Sequence, residues 1–240
     1  MRDLIPQKYR IIFFFILICL IGTAFLLIFL NQSNIRLPRN AEQKKSESFT
    51  FFSVGENTIL TKSKLRELSK ILGQHRLENL TPVYMDFVHR GWLASRFPDL
   101  KEAGYFFNKN RLINPISGRT LKLDYRYAHH YNVPFSDIRF VFCDYTKKPL
   151  FLNLRLSGDG KGIVNTLKES YGDPQMIEDQ RLFQPSYFWE DSKALLVTAI
   201  LADRYGKAET HIIIVYKENL ASFMDSIMKE YPEPDVRTGF

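Results

Sequence analysis

The longest uninterrupted apolar run in the chain lies near its amino terminus, from Ile11 to Leu30. It is 20 residues long and uncharged, and sixteen of its members are Ile, Leu or Phe. A helix of this length rises about 30 Å, which matches the hydrocarbon thickness of a bilayer. The run therefore predicts a transmembrane helix over 11–30. It favours an uncleaved anchor, because no small-residue cleavage site follows it.

Basic residues flank this span and indicate its orientation. Lys8 and Arg10 stand directly before the run, whereas Arg36 and Arg39 stand further from its end. The positive-inside rule then places the short N-terminal segment, residues 1–10, in the cytoplasm. We expect a single-pass protein of a bacterial inner membrane, held in the lipid bilayer through residues 11–30, with its C-terminal domain outside the cytoplasm.

The remainder of the chain divides by polarity. Residues 31–48 are polar and lack hydrophobic periodicity, which predicts a tether. Residues 232–240 predict a flexible tail. Residues 49–231 lie between them and predict one soluble α+β domain.

Helical spacing of apolar residues occurs at four places in this domain. Leu65, Leu68 and Leu72 predict a helix from Thr61 to Gly73, and a second helix is predicted over 84–97, with Pro98 as its stop. A third covers 163–171 and ends at Gly172. The fourth has apolar residues at 220, 223, 224, 227, 228 and 231, and Asn219 is its expected N-cap.

Strand-like alternation fills the regions between these helices. Leu121–Tyr127 alternates with Lys122, Asp124 and Arg126, which predicts a half-buried strand. Segments 138–142 and 150–156 predict a hairpin closed by the turn at 146–149. Short strands are expected near 175–182 and 186–190, and the continuous apolar runs 194–202 and 211–216 predict central strands. Grouped strands with helices between them favour an α+β fold with an antiparallel sheet.

One segment of this pattern is similar to a known arrangement. A helix ends in Tyr171-Gly172-Asp173-Pro174, and a strand bearing Tyr187 and Trp189 follows. This order resembles small envelope modules in which a helix ends in G-x-P before a meander. The resemblance covers about fifty residues, and no function is carried over from it.

The distribution of the net charge of +7 along the chain argues against nucleic-acid binding. Residues 1–39 carry five basic side chains and one acidic, so the remaining 201 residues carry only +3. A nucleic-acid binder needs a basic stripe on its folded domain, and the pattern predicts none. Cys19 lies in the span and Cys143 in the domain, so no disulfide framework is expected.

The densest polar and aromatic stretch of the domain is the candidate binding site. Tyr and Arg are favoured contact residues because they combine large areas with polar tips. Neighbouring His129 and His130 point to opposite faces of a strand, so a shared metal ion is not expected. The stretch predicts a contact with a protein, peptide or glycan, and its members are Tyr125, Arg126, Tyr127, His129, His130 and Tyr131.

Other motifs predict structure and not chemistry. Ser157–Gly162 matches no phosphate-binding spacing and predicts a tight strand-to-helix turn. Cys143 stands among apolar residues and predicts a buried thiol. We therefore expect no catalytic residue, no metal and no cofactor.

Two functions remain open at this level. The first is a non-catalytic binding or scaffold module of a cell-envelope complex, with a protein partner in the membrane or envelope. The alternative is a membrane-tethered hydrolase or transferase that acts on envelope material. That enzyme requires a cleft that gathers His129, His130, and Asp124 or Asp144.

Overall fold

A computed structural model describes most of the predicted domain. The described residues are 48–79, 83–85, 92–108, 118–126, 129–130, 133–158, 160–178, 185–202 and 205–230. The predicted span at 11–30, the tether up to residue 47 and the tail lie outside them. Within these ranges, no helix is long and apolar enough to cross a membrane.

Groups of strands are separated by helices along the described chain. The helices are α1 (Lys62–Leu72), α2 (Trp92–Arg96), α3 (Pro98–Asn108), α4 (Lys161–Tyr171) and α5 (Lys217–Glu230). The strands are β1 (Arg76–Glu78), β2 (Thr120–Arg126), β3 (His129–His130), β4 (Val133–Cys143), β5 (Pro149–Ser157), β6 (Gln175–Ile177), β7 (Ser186–Glu190), β8 (Ala194–Ala202) and β9 (Ala208–Tyr216).

The strands form an antiparallel sheet in the order β1-β2-β4-β5-β9-β8-β7-β6, and the short β3 pairs with β4. This arrangement confirms the predicted α+β class and the β4–β5 hairpin. The apolar runs at 194–202 and 211–216 lie in the middle of the sheet, as their composition predicts.

Helices cover both faces of the sheet. The first face carries α1 and α4, whose Leu68 and Leu167 pack with alternate strand residues such as Ile212. The second face carries α2, α3 and α5, and Phe107 and Phe223 belong to its separate core cluster. Central strands are therefore buried on both sides, which accounts for their continuous hydrophobicity.

The expectation of a half-buried β2 is wrong. Every residue of β2 from Thr120 to Tyr125 is buried. Its polar residues point to the second face and are paired there: Lys122 lies 2.7 Å from Glu78, and Asp124 lies 2.9 Å from Arg139. Alternating polarity here reflects charge pairing on the sheet and not contact with solvent.

Two helix boundaries also differ from expectation. Residues 83–85 are not helical, and Pro98 begins α3 instead of only ending the helix before it. Proline suits the first position of a helix, where its missing N–H has no intrahelical partner. Asn219 is not an N-cap, because α5 begins at Lys217. The predicted α1 is confirmed, with the Thr61 hydroxyl accepting from the Lys64 N–H at 3.1 Å.

Candidate functional site

The structure divides the predicted contact stretch between core and surface. Tyr125 is fully buried, with its ring 6.1 Å from that of Phe140, and burial raises the pKa of Tyr125 to about 12. It therefore contributes to the core of the first face. Arg126 is exposed at the end of β2.

The rest of the stretch is described in part. Tyr127 and Tyr131 lie outside the described residues, and β3 is described through its backbone. His129 pairs with Pro134 and His130 with Val133, so β3 folds back on the start of β4. This pairing places the two histidines at the end of the sheet that also holds Arg126.

The carboxylates of the alternative enzyme stand apart from these histidines. Asp144 follows the end of β4, where it pairs with Lys147 at 2.6 Å. The histidines pair with the opposite end of this 11-residue strand, which at about 3.3 Å per residue is roughly 30 Å away. Asp124 pairs in register with Arg139, five residues along β4 from the partner of His129, or about 17 Å.

Sequence reasoning missed a polar cluster on β4, β5 and β9. Glu209 accepts from the Ser136 hydroxyl at 3.0 Å, and its other oxygen lies 3.1 Å from Nε2 of His211. Arg155 lies 3.0 Å from Asp137 and 3.7 Å from Glu209. The hydrogen bond with His211 and the charge of Arg155 hold the pKa of Glu209 below its ordinary value.

The order of groups in this cluster does not match a nucleophilic site. Catalysis by a serine requires the histidine to accept the proton of the hydroxyl. Here Glu209 lies between Ser136 and His211. Its carboxylate accepts the hydrogen bond of the Ser136 hydroxyl and contacts the His211 ring, so the hydroxyl does not donate to the histidine. The cluster is a charge network that joins three strands. Its sequence signal is a set of polar residues within otherwise apolar strands, and this signal becomes informative only when the strand order is known.

The glycine-rich segment forms the predicted strand-to-helix turn. Gly158 and Gly160 adopt positive φ angles of 102° and 52°. The Gly158 N–H donates to the Ala208 carbonyl at 3.1 Å, and the Thr210 hydroxyl donates to the Gly158 carbonyl at 2.7 Å. Contacts with β9 therefore occupy both backbone groups of Gly158.

Cys143 is buried at the end of β4, as predicted. It is 7% exposed, and its sulfur accepts from the Thr146 N–H at 3.5 Å. His211 pairs in register with Arg155, which in turn pairs with Asp137, six residues from Cys143 along β4. The thiol therefore has no contact with this histidine.

The second face has a cleft between α3 and α5, called here the α3–α5 groove. Its volume is about 490 Å³. Leu195 of β8 and Val215 of β9 form its floor, and Leu100, Leu220 and Met224 line its walls. All five are buried apolar residues. The two helices come from segments more than a hundred residues apart, so sequence patterns did not reveal the groove.

Charged residues stand only at the rim of the groove. The carboxylates there are those of Asp99, Glu102, Glu190 and Asp225, and the basic groups are Arg96 and Lys217. Lys217 donates to Glu190 at 2.6 Å and to the Asp191 carbonyl at 2.8 Å. Arg96 stacks over the ring of Phe188, 5.7 Å from its centroid. Both cations are thus engaged by the protein itself.

Comparison with known proteins adds no further assignment. The chain matches no protein-family model, and no curated protein or solved structure is significantly similar to it.

Proposed function

We propose that this chain is a single-pass, membrane-anchored binding module of a cell-envelope complex, and that the α3–α5 groove docks an amphipathic helix of a protein partner. The observation that carries the proposal is a groove whose accessible apolar side chains, Phe97, Ala221 and Met228, are surrounded by exposed charged residues. Accessible apolar side chains rimmed by polar residues are typical of interaction sites.

The chemistry of the groove favours a helix over a small molecule. Small-molecule sites converge a few polar groups on the ligand inside the pocket. The floor here is formed by Leu195 and Val215, and the carboxylates of Asp99, Glu102 and Asp225 belong to exposed residues. An amphipathic helix presents the complementary arrangement, with apolar anchors in the groove and polar flanks over the rim.

Size and adaptability support the same occupant. A cavity of about 150 Å³ holds one benzene-sized group, so a groove of 490 Å³ accepts about three anchor side chains. Helices that bind in grooves insert a comparable number of anchors along one face. Met224 and Met228 line one wall, and methionine side chains adapt readily to the shape of a partner.

Recovery of a partner from solubilised membranes tests the proposal. Ala221 is exposed on the groove wall, whereas the neighbouring Ser222 is exposed outside it. In the full-length chain, Ala221→Trp fills the groove and should reduce recovery of the partner about tenfold. Ser222→Trp adds a similar volume elsewhere and should leave recovery unchanged. Equal recovery with both variants would contradict docking in the groove.

The predicted stretch around Arg126 is a second contact surface to test in the same assay. Arg126 is exposed, and its backbone pairs with that of Asp137 in the polar cluster. If the partner extends to this end of the sheet, Arg126→Ala combined with His130→Ala should lower recovery without lowering the melting temperature. Unchanged recovery would remove this surface from the account.

The membrane part of the proposal rests on residues 11–30 and on the charges before them. A C-terminal alkaline phosphatase fusion should be active and a C-terminal fusion to green fluorescent protein should be dark. The opposite pair of results would place the domain in the cytoplasm.

A further inference from the structure

The rim of the α3–α5 groove carries a local charge opposite to that of the whole chain. The chain has a net charge of +7, yet the rim has four carboxylates and two basic groups. Lys217 is neutralised by Glu190, with which it forms a 2.6 Å ion pair. The remaining rim is acidic.

The helix dipole does not account for all of these carboxylates. Asp99 lies in the first turn of α3, where an acidic residue stabilises the helix dipole. Glu102 and Asp225 lie inside α3 and α5, away from the first turns, so this explanation does not apply to them. Both are exposed, and neither forms an ion pair with another residue in the described part of the chain.

Glu102 and Asp225 stand on the two helices that border the groove. A helix lying in the groove therefore passes between a carboxylate on α3 and a carboxylate on α5. Basic side chains on both flanks of that helix meet opposite charge, whereas acidic flanks are repelled. The long stems of Lys and Arg also cover apolar surface while their charged ends remain in water.

We infer that the occupant of the α3–α5 groove is a basic amphipathic helix, with an apolar face toward the groove and Lys or Arg on both flanks. This inference rests on the proposed function and specifies the chemistry of the partner. Glu102 and Asp225 select the charge of the partner, and the accessible apolar side chains of Phe97, Ala221 and Met228 provide the apolar contact.

Three synthetic helical peptides with an identical leucine face and with Lys, Gln or Glu on the flanks test this inference. The full-length chain in zwitterionic nanodiscs carries the photo-cross-linker benzoylphenylalanine in place of Ala221, or of Ser222 as the control. Cross-linking reports contact at the groove, so association of a peptide with lipid does not contribute to the signal.

The Lys peptide should cross-link at position 221 but not at 222, and about tenfold more strongly than the Gln peptide. In a chain with Glu102→Lys and Asp225→Lys, the Lys peptide should lose this advantage and the Glu peptide should gain it. The gain by the Glu peptide also shows that the reversed variant is folded.

The cross-linking pattern distinguishes a failure of this inference from a failure of the proposed function. Equal cross-linking of the Lys and Gln peptides, or no effect of the charge reversal, would overturn the basic partner while leaving a helix-binding groove. Absence of cross-linking with all three peptides would contradict both. An intrachain product with residues 31–47, or a dimer of the chain, would show that another occupant fills the groove.

Discussion

The side-chain amide of Asn219, in the first turn of α5, donates to the backbone carbonyl of Glu56 at 2.9 Å. The same nitrogen donates to the carbonyl of Pro149 at 2.9 Å, at the start of β5. Asn219 is buried, so water does not replace the amide as donor to these two carbonyls if the side chain is lost. One side chain thus joins the segment before α1, the central sheet and the helix that forms one wall of the groove.

Asn219→Ala should lower the free energy of unfolding by about 1–3 kcal/mol, because it leaves two buried carbonyls without this donor. Chemical denaturation of the full-length chain measures the loss. Ser222→Ala, at an exposed position of the same helix, is the control and should change stability little. A loss no larger than that of the control would show that the amide contacts do not stabilise the fold.

The turn before α4 should be intolerant of a side chain. A Cβ atom added at Gly160 would lie 2.4 Å from the Thr210 hydroxyl oxygen and 2.5 Å from the Thr210 methyl group. The φ angle of Gly160 is 52°. Gly172 also has a positive φ, 83°, but a Cβ there meets no atom within 4 Å. Gly160→Ala should therefore destabilise the chain by at least about 1 kcal/mol more than Gly172→Ala, as measured by denaturation. Similar losses of stability in the two variants would mean that β9 shifts readily to accommodate the added methyl group at position 160.

The apolar stripe of α5 should be a main source of stability. Phe223 is 4% exposed, and its ring centroid lies 5.9 Å from that of Phe107 on α3. Phe223→Ala should lower the free energy of unfolding by about 3–5 kcal/mol. The exposed neighbour Ser222 again provides the control. Equal melting temperatures for the two alanine variants would show that the stripe is not buried.

The polar cluster predicts a dependence of stability on acid pH. The pKa of Glu209 is lower in the folded chain than its ordinary value of 4.5. Its stabilising effect is therefore full above the pKa of the unfolded carboxyl, and it is lost as pH falls below about 4.5 through the folded pKa. Glu209→Gln should flatten the fall in melting temperature over this range.

Glu67 provides a matched control for this pH effect. Its hydrogen bond with Lys64 also lowers its pKa, but its side chain is 45% exposed and solvent screens the interaction. Glu67→Gln should flatten the acid limb less than Glu209→Gln. The reverse order would show that the cluster on β4, β5 and β9 does not govern acid stability.

Local signals predicted local structure well. Thr61 and Gly73 bound α1, and the turn before Pro149 closes the β4–β5 hairpin, because capping and turn chemistry act over a few residues. The prediction that Pro98 only ends a helix was wrong, because proline can end one helix and also suits the first turn of the next.

Features that depend on contacts between distant segments could not be predicted from such local signals. Lys122 suggested a solvent-exposed face of β2, but it is buried against Glu78 of β1. The groove joins Leu100 of α3 to Leu220 of α5 over a floor of central strands. Its position depends on how two distant helices pack on one sheet, and no periodicity within either helix specifies that.

Photo-cross-linking in living cells tests the central claim, docking of a partner helix in the α3–α5 groove, most directly. Benzoylphenylalanine replaces Ala221 on the groove wall in one full-length chain and Ser222 in another. The account predicts that position 221 yields a product with one helical segment of another envelope protein and that position 222 does not. Products of equal yield at both positions, or none at 221, would contradict it.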